Sequence, residues 1–232
     1  MNVLVLNSSP HKNEQGTGNI LNPFIKGMKA AGADVEIVFV NDLNIKPCLG
    51  CFSCWGSESG ECVHDDDMTE LLPKMQNADI QVLATPIYVD GMTGPLKTVL
   101  DRSIPLVTGK WILRDGHCRH PLREGEEGSK LVLLSVCGFT ELDNFDPLIA
   151  HVKALCKNMN SEYVGAVLRP YSWALPLIQK AGIDVSMVYE AAEEAGRQVI
   201  AEGTMEEETL EKIAAPFVPK EVLVDEVNKH FS

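Results

Sequence analysis

Five strand-like runs, each followed by a helical pattern, constrain this chain more than any other feature. Residues 3–6 form a short continuous apolar run, as expected for a strand buried on both faces, and 35–40, 80–84, 131–136 and 163–168 read as four more strands. Between them, Ile20, Leu21, Phe24, Ile25 and Met28 recur at helical spacing, with Gly32 placed to stop the helix. Residues 66–76, with Asp66 or Asp67 as N-cap, 94–102 and 147–159 read as further helices. Strands alternating with helices predict a parallel sheet covered on both faces. Right-handed crossovers then favour strand order 2-1-3-4-5. The expected class is therefore α/β, a doubly wound five-stranded parallel sheet over 1–180, with a helical extension over 181–232 built from 184–201, 205–213 and 220–231. Residues 104–128, rich in Gly, Pro and charge, are too long for a simple connection and read as a functional or interface loop.

Composition removes several function classes. With 20 Lys+Arg against 33 Asp+Glu, the net charge is −13, and no basic run exists to neutralise a phosphate backbone, so nucleic acid is not an expected partner. The longest apolar runs are strand-sized, so no membrane span is expected. The first residues enter a strand with no basic segment before it, so no signal peptide is evident. Seven cysteines, an odd number, argue against a disulfide framework and for thiol chemistry or a metal site in a cytoplasmic, reducing compartment.

In an open α/β sheet of this order, ligands sit beyond the carboxyl ends of the first and third strands. That directs attention to residues 7–19 and 85–94. In the first loop Ser8, Ser9 and Thr17, with Asn19 and glycine amides, precede a helix whose N-terminus favours a phosphate dianion. Gly16-Thr17-Gly18 is not a dinucleotide fingerprint, since Leu21 stands where the third glycine belongs; the plainer reading is a polar loop capping a helix. In the second loop Pro86 is expected to stop sheet pairing, and Gly91 and Gly94 let backbone approach a flat ligand. Tyr88 and Met92 could pack on an aromatic ring, or Tyr88 could simply cover a helix end.

The densest signal is Cys48, Cys51, Cys54 and Cys62, in the form C-x2-C-x2-C-x7-C within the loop 46–66. Three thiolates at spacing three can each meet a different iron of a [4Fe–4S] cube, with the fourth arriving after a glycine turn. Zinc normally uses two knuckles separated in sequence, which this run lacks. A redox disulfide such as Cys51–Cys54 is the third alternative. His117-Cys118-Arg119-His120 reads as an exposed polar loop, and Cys137 and Cys156 read as core. Trp55 either shields the cysteines or anchors their loop.

Two separated motifs carry a family resemblance covering about residues 1–140. The Ser-Ser-Pro-His loop at 8–11 resembles the phosphate loop of NADPH-dependent FMN reductases, and Thr-Pro-Ile-Tyr…Gly-Pro-Leu-Lys…Asp-Arg over 85–102 resembles their second flavin segment. The cysteine block, running on to Asp65-Asp66-Asp67-Met68, resembles that of the iron–sulfur flavoproteins, which are flavodoxin-like. The resemblance implies an FMN phosphate at Ser9, His11, Thr17, Gly18 and Asn19. It implies the isoalloxazine along Pro86, Ile87, Tyr88, Val89, Asp90, Gly91 and Met92, where backbone amides can meet flavin N5 and O4. It also implies a [4Fe–4S] cluster on Cys48, Cys51, Cys54 and Cys62, with NAD(P)H or a small redox protein as electron donor. Family members work as dimers or tetramers, with a cluster brought near the flavin of a partner subunit. The sequence departs from the family in having His11 where a basic residue usually follows Ser-Pro, and in a long, glycine-interrupted loop after it. No residue reads as an obligatory acid or base, so no catalytic side chain is expected. Glu58, Glu61 and Asp65–Asp67 should lower a cluster's potential. The expected function is an FMN-dependent oxidoreductase passing electrons between cluster and flavin. The other readings are an NAD(P)H-dependent FMN or quinone reductase without a cluster, and a non-catalytic FMN electron carrier.

Overall fold

The computed structural model describes residues 1–56, 58, 60–123 and 128–231. The chain runs β1 (Asn2–Asn7), α1 (Thr17–Ala30), β2 (Asp34–Phe39), α2 (Ser53–Gly56), α3 (Met68–Asn77), β3 (Ile80–Pro86) and α4 (Gly94–Asp101). It continues through β4 (Ile112–Arg114), β5 (His117–Arg119), β6 (Lys130–Val136), α5 (Asp146–Met159), β7 (Glu162–Arg169), α6 (Leu175–Lys180), α7 (Ser186–Ala201), α8 (Glu207–Ala214) and α9 (Lys220–Phe231).

Five strands form one parallel sheet in the order β2-β1-β3-β6-β7, which is the expected 2-1-3-4-5 with the β4–β5 hairpin inserted. Side chains alternate between two cores. Val3, Val5, Val82, Ala84, Val132 and Leu134 pack with α1 and α7, while Leu4, Leu6, Leu83, Leu131 and Leu133 pack with α3, α4 and α5. Both faces are apolar, so the period-2 alternation of a half-solvated strand is absent and the runs read as continuous.

The helices after β7 are tied to this sheet. α7 lies on α1 with Gly27 and Gly196 at the contact, where a Cβ on Gly196 would overlap the carbonyl of Phe24 and one on Gly27 the carbonyl of Glu193. Arg169, wholly buried at the end of β7, donates from Nη1 to the carbonyls of Ile213 (2.9 Å) and Ala215 (2.7 Å), holding the C-terminal end of α8. Its guanidinium lies over the rings of Tyr171 and Phe217, a desolvated cation–π arrangement.

Two sequence expectations change. Residues 104–128 are not simply a loop: they hold the antiparallel β4–β5 hairpin, turned at Asp115-Gly116 with φ of 54° and 74°. Both central residues have positive φ, which is the turn that Asp-Gly favours between strands. Pairing does not stop at Pro86. It remains in register with Val136, and the Ile87 amide donates to the Val136 carbonyl at 2.8 Å. The missing N–H of Pro86 falls on the β1 side, where the last strand pair is Asn7 with Ala84, so the ladder loses nothing.

Close backbone approach at the α1–α7 contact makes Gly196→Ala a test of the packing. Overpacking of this kind destabilises by about 1–3 kcal/mol, so the urea midpoint should fall; a wild-type midpoint would mean the helices separate freely.

Candidate functional site

The loops after β1 and β3 emerge side by side. Asn7 pairs with Ala84, and the next residue, Ser8, donates its amide to the Ala84 carbonyl at 2.9 Å. The sequence-selected loops therefore flank one cleft at the carboxyl edge of the sheet. Within the first loop, the Ser9 amide donates to Asn7 Oδ1 (3.0 Å) and the His11 amide to Ser9 Oγ (3.3 Å). Ser9 is buried, His11 is exposed, and Lys12 is spent on Asp42 at 2.7 Å. Thr17 starts α1 almost fully buried, and its Oγ1 has no hydrogen-bond partner. Gly18 packs so tightly on the Asn13 backbone that a Cβ would collide with it. Asn19 Nδ2 donates to the Ser172 carbonyl (3.0 Å), while Ser172 Oγ donates to the Gly16 carbonyl (2.7 Å).

The second loop folds back on itself. The Tyr88 amide donates to Gly91 O (3.0 Å) and the Gly91 amide to Tyr88 O (3.2 Å). This closes a turn with Val89 and Asp90 at φ of 49° and 59°. A β-branched residue in the left-handed region is strained, and Val89 is 99% exposed at the tip. Tyr88 is exposed and Ile87 half-buried, whereas Met92 is buried with the α3–α4 core. Thr93, the N-cap of α4, accepts from the Lys97 amide on its carbonyl (3.1 Å) but makes no side-chain cap: its amide donates to Thr85 Oγ1 (3.2 Å), and its own buried Oγ1 has no partner. Thr93 and Ser172 were not picked out from sequence. Thr93 carries a helix-start signal ahead of Gly94-Pro95, but nothing local marks Ser172.

All four cysteines of the compact motif line one solvent-open cavity of about 340 Å³, together with Leu49, Phe52, His64, Arg102, Ile104 and Pro105. Every cysteine of the chain is a free thiol. Burial pushes the Cys54 thiol up, and Cys62, Cys48 and Cys51 push it the same way. The Ser53 hydroxyl, 3.4 Å from Cys51 Sγ, pulls the exposed Cys51 thiol down. The Gly50 amide donates to Cys48 Sγ at 3.4 Å. Trp55 does not line the cavity; it anchors the loop through Nε1 to the Ile104 carbonyl (3.1 Å) and stacks between Phe52 and His120. Arg123 does the same through the carbonyls of Pro105 (2.7 Å), Cys54 (2.9 Å) and Glu58 (3.0 Å). The long 104–128 segment is thus part of the wall and brace of the cysteine loop. Cys118 is exposed on β5, while Cys137 and Cys156 are core, where burial pushes both thiols up, Cys156 to about 11.

The deepest anchor of this loop is an ion pair. Arg102 at the end of α4 and Asp66 are joined in bidentate fashion, Nη1–Oδ2 at 2.7 Å and Nη2–Oδ1 at 3.0 Å, with both side chains 1% exposed. Arg102 Nη1 also donates to the Lys46 carbonyl (2.7 Å), and Asp66 accepts from the amides of Lys46 (3.0 Å) and Met68 (3.2 Å). One pair therefore closes both ends of the loop 46–66.

In donor chemistry alone, the residues present suit the groups that the resemblance implies, hydroxyls for a phosphate and thiols for iron. A cleft at the switch point holds two buried hydroxyls, Thr17 Oγ1 and Thr93 Oγ1, that lack partners. The cysteine cavity holds four thiols and two buried nitrogens without partners, His64 Nε2 and Arg102 Nε. Among the described residues, no three of the His, Cys, Asp or Glu side chains form a group able to hold a metal ion as they stand.

This sheet order with its switch-point cleft defines a flavodoxin-like protein, and solved structures share the fold. An FMN-dependent NADH-azoreductase from Bacillus anthracis, in complex with FMN, aligns with a TM-score of 0.61 at 16% identity, over 86% of this chain and 99% of that one. An NAD(P)H:quinone oxidoreductase from Methanothermobacter marburgensis aligns at 0.58 and 18%, over 86% and 96%. Residues 1–114 match the family model of the NADPH-dependent FMN reductases, the resemblance that the two loop motifs carry. Among curated relatives, an iron-sulfur flavoprotein of Archaeoglobus fulgidus is 36% identical over 115 residues, 50% of this chain and 55% of the relative. One from Methanosarcina thermophila is 30% identical over 115 residues, 50% and 59% of the two chains. The match thus spans little more than half the length of these relatives.

The ion pair makes an acid-stability prediction. Burial works against charge on Asp66, but Arg102 and the Lys46 and Met68 amides outweigh it and hold the carboxyl down to about 2, from an ordinary 3.8. A depressed carboxyl stabilises the fold above its unfolded value and stops doing so as pH falls through its folded one. Asp66→Asn should therefore lose about 3 kcal/mol or more near neutrality, with the gap to wild type narrowing between about pH 4 and pH 2. Denaturation midpoints across that range measure it; a gap independent of pH would show that the carboxylate charge contributes nothing.

Proposed function

We propose that the chain is an FMN-dependent oxidoreductase of the iron–sulfur flavoprotein type, exchanging electrons between FMN in the β1/β3 cleft and a [4Fe–4S] cluster on Cys48, Cys51, Cys54 and Cys62. NAD(P)H or a small redox protein supplies the electrons. The observation that carries this reading is the gathering of all four motif thiols on one cavity. Thiols spread around a cavity suit a multi-iron group, in which each thiolate meets its own iron. A single zinc ion needs sulfurs converged at about 2.3 Å from the metal. FMN trades electrons in pairs or singly, which lets it link a hydride donor to a one-electron carrier.

The chain's own residues divide the work. The hydroxyls of Thr17 and Ser9 would bind the phosphate at the N-terminal end of α1, whose dipole favours a dianion; the local cation Lys12 is paired with Asp42. The strained 88–91 turn and the amide-rich backbone beside it would orient the ring and meet N5 and O4. Asn19 holds the first loop to Ser172 and so fixes the phosphate side of the cleft. Assembly as a homodimer or homotetramer is supported by exposed apolar side chains, Leu49 and Phe52 on the cysteine loop and Trp111 and Leu113 at and beside the start of β4. The seven free thiols favour a reducing, cytoplasmic setting. Among the described residues no helix is long and apolar enough to cross a membrane.

A second reading is an NAD(P)H-dependent FMN or quinone reductase without a cluster. It is favoured by one observation: no three candidate ligands stand together as a metal-binding group among the described residues.

One experiment tests the flavin site that both readings share, and a second separates them. Ser9→Ala with Thr17→Ala should weaken FMN binding by about 2–4 kcal/mol, as charge-assisted hydrogen bonds are lost; unchanged affinity by fluorescence titration removes this loop as the phosphate site. Cys51→Ala or Cys62→Ala, prepared anaerobically, should keep near-normal FMN but little iron or sulfide, while Cys156→Ala keeps all three. Wild type free of iron after reconstitution would instead favour the plain reductase.

A further inference from the structure

Arg102 is committed on one side only. Its two terminal nitrogens serve Asp66 and the Lys46 carbonyl, while its buried Nε–H has no partner. Arg102 also lines the cavity of the four cysteines. The terminal nitrogens of the guanidinium thus meet oxygen, and one donor is left over on a residue that lines a cavity whose polar lining is mainly sulfur. Arg102 is placed there by α4, which begins beside the flavin cleft at Gly94 and ends at Asp101.

We propose, resting on the cluster reading above, that Arg102 is a positioning residue for the cysteine site, presenting Nε–H to the sulfur of Cys62 and holding one buried positive charge against the thiolate set. Burial works against the guanidinium's charge, and both Asp66 and Cys62 support it. Four thiolates brought together repel one another, and a cation fixed among them offsets that repulsion most where water is excluded. The carboxylates of Glu58, Glu61, Asp65 and Asp67, which pull a cluster's potential down, belong to exposed residues, so water and salt screen them. The buried Arg102–Asp66 pair is close to neutral overall, so what reaches the cysteines with little screening is the field of a dipole whose guanidinium end lines the cavity and acts in the opposite direction. Lysine is a poor substitute, because its point charge cannot hold Asp66 in bidentate fashion and still offer a donor to Cys62.

The test uses the full chain, prepared anaerobically and reconstituted with iron and sulfide. Iron, sulfide and FMN per chain are measured together with the cluster's midpoint potential. Arg102→Met should keep FMN, release iron to a chelator several-fold faster and reduce its cluster at a lower potential than wild type. Asp66→Asn leaves the cation in place but removes its counter-charge, so its cluster should reduce at a higher potential. Arg102→Lys should lie between Arg102→Met and wild type. If Arg102→Met does not fold, which absent FMN would reveal, the opposite shift in Asp66→Asn still decides the matter. Full iron at wild-type potential in the folded variants overturns the role of Arg102 while leaving the cluster reading intact. Wild type without iron overturns both.

Discussion

The rung between Asn7 and Ala84, where β1 and β3 end side by side, fixes both loops of the cleft. A parallel sheet buried on both faces has spent its side chains on two cores, and its crossovers return every strand in the same sense. Its carboxyl edge is then where backbone amides and loop side chains are free to meet a ligand. Because the two strands are adjacent in space and 76 residues separate Ser8 from Ala84, the cleft exists only once the sheet has formed. Its hydroxyls are therefore held in place before any ligand arrives, which lowers the ordering cost of the phosphate binding proposed above.

The cysteine site depends on a second, smaller constraint. Its loop has little regular structure beyond the four residues of α2, so its shape comes from bracing. Arg102 and Asp66 close its two ends, Arg123 holds its middle through the carbonyls of Cys54 and Glu58, and Trp55 is pinned to Ile104. Two of these braces reach into the 104–128 segment. α4 joins the two sites mechanically: eight residues, about 12 Å at 1.5 Å per residue, run from the partnerless Thr93 hydroxyl at the cleft to Arg102 at the cysteines.

How much of this was legible in the sequence follows from the range of each interaction. The sheet and its order could be read, because burial on both faces writes itself locally as short apolar runs and handedness rules do the rest. The two loops could be found because the switch point follows from that order. The compact cysteine motif is local too. Ser172 could not be found, since it lies 153 residues from Asn19 and only tertiary structure brings them together. The buried pair of Asp66 and Arg102 spans 36 residues; Asp66 read simply as a helix cap, and nothing local in an Asp or an Arg announces its partner. The β4–β5 hairpin is a different kind of omission. Asp115-Gly116 between apolar and β-prone residues is a local turn signal, outweighed in the reading by the charge and proline around it. The effect of Pro86 is equally non-local, because sequence does not show on which side a strand's neighbour has already ended.

The central claim is that this chain holds two redox centres, one in the cleft and one on the four cysteines. An anaerobic reductive titration of reconstituted protein, followed by visible absorption, tests it directly. FMN accepts two electrons and a [4Fe–4S] cluster one, so the account predicts an uptake of about three electrons per chain. Saturation at about two electrons, with flavin bleaching alone, would contradict it.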